Sequence, residues 1–561
     1  MRIRVMLWAL ASASVSTLAF AGTPPEAPAP GDSHRPAHAA PASRLPLATP
    51  MATAAAGIAK TYGGTPIDVT AYHYDNNRTG WNPTETDLTP ATVASSKFGL
   101  LTTLSVDGNV LAQPLVVTNF PVNGVAHDLL IVATGHNTVY AYDARTYALI
   151  WKVNLGTAQS SGDVGCNDVV PEYGISSTPV IVRPSVSSAT LYVVSAVEPR
   201  RGEFHSYIHA LNLANGHDVA TAVEIAPSAT LRNRAVVTFD PQNQWSRASL
   251  AYNNGSIYVS IGSHCDNNSY NTTGWLLQYN TALGLAHAFH TIETPLGQEL
   301  ASIWMSGFAP AIDAAGNVFV ATGNGGFVNS GEDYGESVLK LSPDLADPPL
   351  ARYTPGDWAS LNGGDIDLGS GGVMLLPTVA GQTAPPMAVA MGKDANFFLF
   401  NQATLGGVKA GQNAPIQTLK LGSNYNGLWG GPAFYDGPAG PRVFAQINGD
   451  VLRAFSLATG ASPKLKDVVD GNSPGGYGGS IPIVSSNGAA LHTGVVWVIR
   501  RSNPVEIEAY NAETLGTPLF SANIGPWSNK SNQNPFLTAL EANGRVYAPN
   551  YKSVSVFGLT P

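Results

Sequence analysis

Gln113-Pro114-Leu115-Val116-Val117, Leu129-Leu130-Ile131-Val132-Ala133-Thr134, Thr138-Val139-Tyr140-Ala141-Tyr142-Asp143 and Leu149-Ile150-Trp151-Lys152-Val153 follow one another within about forty residues. Each run is short, rich in β-branched and aromatic side chains, and bounded by turn residues. Such runs read as strands rather than helices. The same order recurs along the chain. Opening runs stand at Ser177 to Val182, Ala248 to Tyr252, Ala309 to Ile312, Val373 to Pro377, Gly431 to Tyr435, Ile481 to Val484 and Pro535 to Thr538. A second and a third run follow each of them. Helical periodicity is almost absent.

Self-similarity at a fixed period points to a repeat architecture. The last unit ends at Pro561 without an outer strand, while Phe98 to Val106 is a spare strand just before the first unit. A ring sealed by strands from both chain ends leaves no unpaired edge to template aggregation. The sequence therefore predicts an all-β, eight-bladed β-propeller with four-stranded antiparallel blades, closed by N- and C-terminal strands in one blade. Residues 62–561 divided by eight give about 62 per blade, above the ~40–50 of compact propeller repeats, so long connecting loops are expected.

Other features bound the class. Gly 58 and Pro 41 in 561 residues suit a chain that turns often. The net charge of −9 and the lack of a Lys/Arg run argue against nucleic acid. Arg2 and Arg4, the apolar stretch Val5 to Phe20 and Ala19-Phe20-Ala21 read as a signal peptide over 1–21. Residues 22–61 are Ala/Pro-rich and read as a disordered linker. No later stretch is long and apolar enough to span a bilayer. A secreted or periplasmic monomer is expected. In that oxidising setting the two cysteines, Cys166 and Cys265, are expected to form a disulfide. No CxxCH motif occurs, so no attached haem is expected.

Ala141-Tyr142-Asp143-Ala144-Arg145-Thr146-Tyr147-Ala148-Leu149-Ile150-Trp151 resembles the Ala-x-Asp-x-x-Thr-Gly-x-x-x-Trp blade motif of pyrroloquinoline-quinone (PQQ) propellers, with Tyr147 in place of Gly. Ala454 to Gly460 and Ala509 to Thr514 are worn copies. Longer stretches, among them Asp75 to Gly80, Pro171 to Ile175, Ile303 to Gly307 and Asp367 to Gly372, are similar to secreted PQQ-like repeat proteins of unestablished activity. The resemblance implies a structural motif, with Trp between blades and Asp and Thr closing the turn.

It also implies where chemistry would sit. PQQ dehydrogenases hold the quinone in the central funnel with a Trp floor, a Cys-Cys ceiling, Ca²⁺, an Asp base and a basic residue. Gly392-Lys393-Asp394 resembles the basic turn, which makes Lys393 a candidate to polarise a carbonyl. Asp365 and Asp367 lie 28 and 26 residues earlier (393 − 365 and 393 − 367) and are candidate bases. Trp304 and Trp429, with Trp245, are candidate stacking platforms. Asp266, Asn267, Asn268 and Asn271 form an oxygen-rich loop, with Asp266 and Asn268 as candidate Ca²⁺ ligands. Asn324, Glu332, Asp333 and Glu336 form a second acidic loop. His264 reads as a hydrogen-bonded loop residue. No adjacent Cys pair occurs, and no clear calcium set of Glu, Asn and Asp can be assigned from sequence alone. Two functions follow. The first is a secreted binding or scaffold propeller taking a small molecule, glycan or protein on one face. The second is a divergent PQQ-dependent oxidoreductase using PQQ and Ca²⁺. No Gly-x-Ser-x-Gly elbow, P-loop or HExxH is present.

Overall fold

A computed structural model describes residues 60–267, 272–294, 300–326, 333–407, 414–527 and 536–561. The expected signal peptide and nearly all of the expected linker fall outside these residues. So do Asn268, Asn271 and Glu332.

The repeats become antiparallel four-stranded blades. Blade 1 is Leu115–Val122, Val125–Ala133, Thr138–Asp143 and Leu149–Asn154. Blade 2 runs from Val180–Ser185 to Val223–Glu224, and blade 3 from Ala251–Asn253 to Leu285–His290. Blade 4 spans Ala311–Ile312 to Ala351–Tyr353, and blade 5 Val373–Leu376 to Gln417–Lys420. Blade 6 spans Ala433–Gly437 to Lys464–Pro474, and blade 7 Ile483–Ser485 to Leu515–Gly525. The expected closure forms blade 8. Phe98–Asn109 pairs with Arg545–Leu559 in a register that sets Thr103 opposite Ser555, and Leu540–Ala542 lies on the other side. Within Arg545–Leu559 the chain folds back at Lys552 (φ 56°), which returns Gly558 to the Gly544 carbonyl.

Burial explains why the runs look continuous rather than alternating. Every residue of Met387–Met391, the second strand of blade 5, is buried, because neighbouring blades cover both faces. The outer strand Leu149–Asn154 keeps partial exposure throughout. The blade motif acts between blades as expected. Trp151 Nε1 donates to Leu213 O of blade 2 (3.0 Å), and Asp143 Oδ1 accepts from the backbone N–H groups of Arg145 and Thr146 (2.9 and 2.8 Å). Tyr147 takes the left-handed conformation (φ 63°) that the family's glycine adopts without cost. Its hydroxyl accepts from Arg545 Nε of blade 8 (3.3 Å).

One element was not foreseen. Residues 69–82 bond to all eight blades. Val69 pairs with Val116 of blade 1, and Thr70 O accepts from Ile181 of blade 2. Asn76 reaches Tyr252 O of blade 3 and accepts from Ile312 of blade 4. Asn77, Thr79 and Gly80 accept from Leu375, Phe434 and Val484 of blades 5, 6 and 7. Asn82 donates to Glu541 of blade 8 (2.7 Å). A segment of fourteen residues that visits the blades in order winds tightly round the axis, so it plugs the central channel.

Candidate functional site

The plug bonds to residues inside the first strands. The candidate site residues instead precede first strands (Trp304, Asp365, Asp367) or follow second strands (Asn324, Lys393). In an antiparallel pair those two positions share one edge, so the candidates gather at one end of the channel.

Asp365, Asp367 and Lys393 do come together. Lys393 Nζ lies 2.5 Å from Asp367 Oδ2 and 2.9 Å from Asp365 Oδ1, donates to Asp365 O (3.1 Å), and stands 5.6 Å from the Trp304 ring centroid. Two glycines permit this approach. A Cβ on Gly392 would lie 2.5 Å from the Leu368 Cα, and one on Gly323 would lie 2.6 Å from Asp367 Oδ1 and 2.9 Å from Trp304 Nε1. The Gly392 loop then anchors Lys393 N–H on Asp367 O (2.9 Å).

Asn324 brings in a third blade. Its backbone N–H donates to Asp367 Oδ1 (2.7 Å), and its Nδ2 donates to Asp365 Oδ1 (3.0 Å) and Asp266 Oδ2 (3.3 Å). Ser263 Oγ donates to Asp266 Oδ1 (2.6 Å). Asp266 is open to solvent, yet dense protein surrounds it, so it lines a depression rather than a convex surface. Lys393 and Asp367 are buried, whereas 29% of the Asp365 side chain stays exposed.

The electrostatics follow from burial and crowding. Desolvation by the protein crowded round it, then the Asp367 and Asp365 charges, push the Asp266 carboxyl up to about 6. Burial raises Asp367 above its usual range despite the opposing pull of Lys393. Burial works to lower Lys393, but Asp367 and Asp365 outweigh it and hold the ammonium well above the ordinary lysine value. Glu336 is buried behind Asp367, accepts from Leu368 N–H (2.7 Å), and is pushed well up by burial and by Asp367.

The donor set suits a hard cation. Asp266, Asp365 and Asp367 outnumber the one ammonium, and the buried Asn324 Oδ1 has no hydrogen-bond partner. Oxygen donors of this kind fit Ca²⁺. The carboxylates do not close into a tight set by themselves. Among the described residues, the one trio of His, Cys, Asp or Glu ligand atoms within 4.8 Å is Cys166, Asp168 and Cys265, whose sulfurs are consumed by a disulfide. Asn324 is therefore the link between Asp266 and Asp365.

Other candidates fall elsewhere. The expected Cys166–Cys265 disulfide is present, with Cα atoms 5.6 Å apart, and fits an oxidising compartment. His264 departs from expectation. It is buried with neither ring nitrogen hydrogen-bonded, between Trp245 (4.8 Å, stacked) and Tyr173 (4.4 Å, edge-on). Burial lowers its pKa to about 3, so the ring is neutral. Trp245 is thus committed to packing, and its Nε1 donates to Ser263 O. Asp333 turns away from Glu336 to cap the N–H groups of Glu293 and Thr294. Trp429 is buried against Tyr477 (5.4 Å) and clusters with Ile481 and Phe536. Trp304 packs on that cluster and keeps partial exposure. Sequence reading missed Arg247 and Arg501, which lie 5.4 and 4.5 Å from the Phe536 ring centroid. No motif marks them.

No protein-family model matches the chain, and no curated protein matches it by sequence. Solved structures do match. A quinohemoprotein alcohol dehydrogenase from Pseudomonas putida is 14% identical, with a TM-score of 0.55 over 88% of this chain and 80% of its own. One from Comamonas testosteroni is 15% identical, with a TM-score of 0.55 and the same coverage. A europium-containing methanol dehydrogenase is 13% identical, with a TM-score of 0.57 over 88% of this chain and 91% of its own. The chain has the β-propeller fold of the quinoprotein dehydrogenases. At these identities the likeness is one of fold. Among the described residues, no helix is long and apolar enough to cross a membrane.

Proposed function

We propose that the open end of the channel binds a quinone-type cofactor with a hard cation, and that the chain is a divergent, extracytoplasmic oxidoreductase of the alcohol or sugar dehydrogenase kind. One observation carries this reading: Lys393 is held between Asp365 and Asp367, against Trp304, with Asn324 joining Asp365 to Asp266. Asp266, Asn324 and Asp365 are the residues to hold the cation. Trp304 offers an aromatic face for a planar cofactor, and Lys393 offers a fixed positive charge to its oxygens. A bound quinone would supply the two-electron acceptor. Asp365, part-exposed beside Lys393, is the residue to take the proton from a substrate hydroxyl.

A second reading, a binding propeller without catalysis, has its own support. Lys393 is already matched by two carboxylates, and the sequence has no adjacent Cys pair. Titration of the purified chain with PQQ and Ca²⁺ separates the two. The oxidoreductase reading expects saturable quinone binding and dye reduction with simple alcohols or sugars, both lost in Lys393→Ala. Binding without turnover favours the second reading. No quinone binding at all defeats the first.

A further inference from the structure

Arg247 precedes the first strand of blade 3, and Arg501 follows the second strand of blade 7. These blades stand four apart in a ring of eight. Two side chains from opposite blades that reach one phenylalanine ring must meet near the axis. Arg501 lies 4.5 Å and Arg247 5.4 Å from the Phe536 centroid. Both residues are buried, at 2% exposure for Arg247 and 5% for Arg501.

Among the described residues, neither has a carboxylate partner. Arg501 donates to two backbone carbonyls, Trp429 O (2.8 Å) and Tyr477 O (3.4 Å), and its Nε has no acceptor. Arg247 is barer still, since neither of its terminal nitrogens finds a hydrogen-bond partner. Burial lowers both groups, Arg247 to about 10 and Arg501 to about 9. The next influence on Arg247 is Tyr72, and those on Arg501 are Arg247, Tyr72 and Tyr477, with no carboxylate among them. Around the pair stand Phe536, the Gly307 backbone against Arg247 Nη1, and Tyr72 of the plug, whose hydroxyl is engaged with Thr538 (3.2 Å). None of these brings a negative charge.

A buried charge is costly unless it is paired. A lysine in this place could shed its proton, but a guanidinium stays charged near neutral pH. Two such charges facing one ring call for a counterion that the described residues do not provide. We infer that Arg247 and Arg501 hold a small, weakly hydrated monoanion, a halide or a carboxylate group, on the propeller axis between the Phe536 layer and the plug. This site is separate from the Lys393 cluster, and it stands whether or not a quinone binds above it.

The test uses the full chain unfolded by urea at constant ionic strength in a bulky-anion buffer. Chloride, bromide or formate is then added, with fluoride and sulfate as strongly hydrated controls. A ligand bound only by the folded state raises the unfolding midpoint with the logarithm of its concentration. We expect that rise with at least one of chloride, bromide and formate, exceeding the controls, and its loss in Arg247→Met. A halide response assigns a halide site, and a formate response assigns a carboxylate site. A flat wild-type response, or an equal rise in Arg247→Met, overturns the inference. Bromide anomalous scattering from crystals gives a second reading without a variant. A peak in contact with the Arg247 terminal nitrogens supports the site, and water alone there refutes it.

Discussion

Lys393 and the Arg247–Arg501 pair are buried cations of one propeller core, in opposite surroundings. Lys393 sits at the open end of the channel between two carboxylates. The arginines sit deeper, beside the plug, against aromatic rings and backbone carbonyls. The Glu85–Glu541 contact near the plug handles buried charge in a third way. Glu85 accepts from the N–H groups of Asp87, Leu88 and Gly544. Glu541 is fully buried beside it, and burial and the Glu85 charge push its pKa well above the ordinary value, so it holds a proton. The comparison teaches that burial alone does not set the outcome. A lysine is matched by acids, an acid takes up a proton, and an arginine can do neither for itself.

The largest effect is expected at Lys393. Lys393→Met strands Asp367 and Asp365 without their cation. Breaking a buried pair from one side costs about 3–5 kcal/mol, to be read from urea unfolding. An unchanged midpoint would mean that water already screens the cluster. Next comes Glu541. Its raised folded-state pKa means that the folded state binds a proton the unfolded chain has lost. Its stabilising contribution is therefore complete below the unfolded pKa of about 4.3 and declines as pH rises towards the folded value, by up to about 1.4 kcal/mol per pH unit. Glu541→Gln should remove that decline, and unfolding between pH 4.5 and 7.5 checks it. A parallel decline in the variant would assign the slope to other groups.

Much of this was legible in the sequence. The period of the β runs gave the blades, the spare strand at Phe98 gave the closure, and two cysteines in a chain read as secreted gave the disulfide. The spacing from Asp365 to Lys393 also held, because both stand at the same edge of one blade, on either side of two short strands. What failed to read is what depends on other blades. Asn324 and Asp266 meet Asp365 only through ring geometry, and nothing near either residue marks that encounter. The plug is held largely through its backbone carbonyls, which any side chain can present, so residues 69–82 carry no periodic signal. Arg247 and Arg501 lie 254 positions apart (501 − 247) and are joined only by the axis. His264 looked polar in sequence but packs as an aromatic ring, because its neighbours Tyr173 and Trp245 come from two distant short strands.

The smallest stability effect is expected at the arginines. Arg247→Met removes a charge that no described acid matches and terminal nitrogens that make no hydrogen bond, so in a bulky-anion buffer the variant should lose little or nothing, within about 1 kcal/mol of wild type. This contrasts with the same kind of substitution at Lys393. A loss as large as that of Lys393→Met would erase the contrast and point to an acidic partner for the arginines.

The central claim is that side chains from three blades converge on one cation-holding site at the open end of the channel. Tryptophan-sensitised europium luminescence tests it most directly, because Trp304 stands beside Lys393 in the cluster. Saturable emission that Ca²⁺ displaces, and that both Asn324→Ala and Asp365→Ala abolish while the fold survives, is the predicted result. Emission that never saturates, or that both variants retain at full strength, would contradict the account.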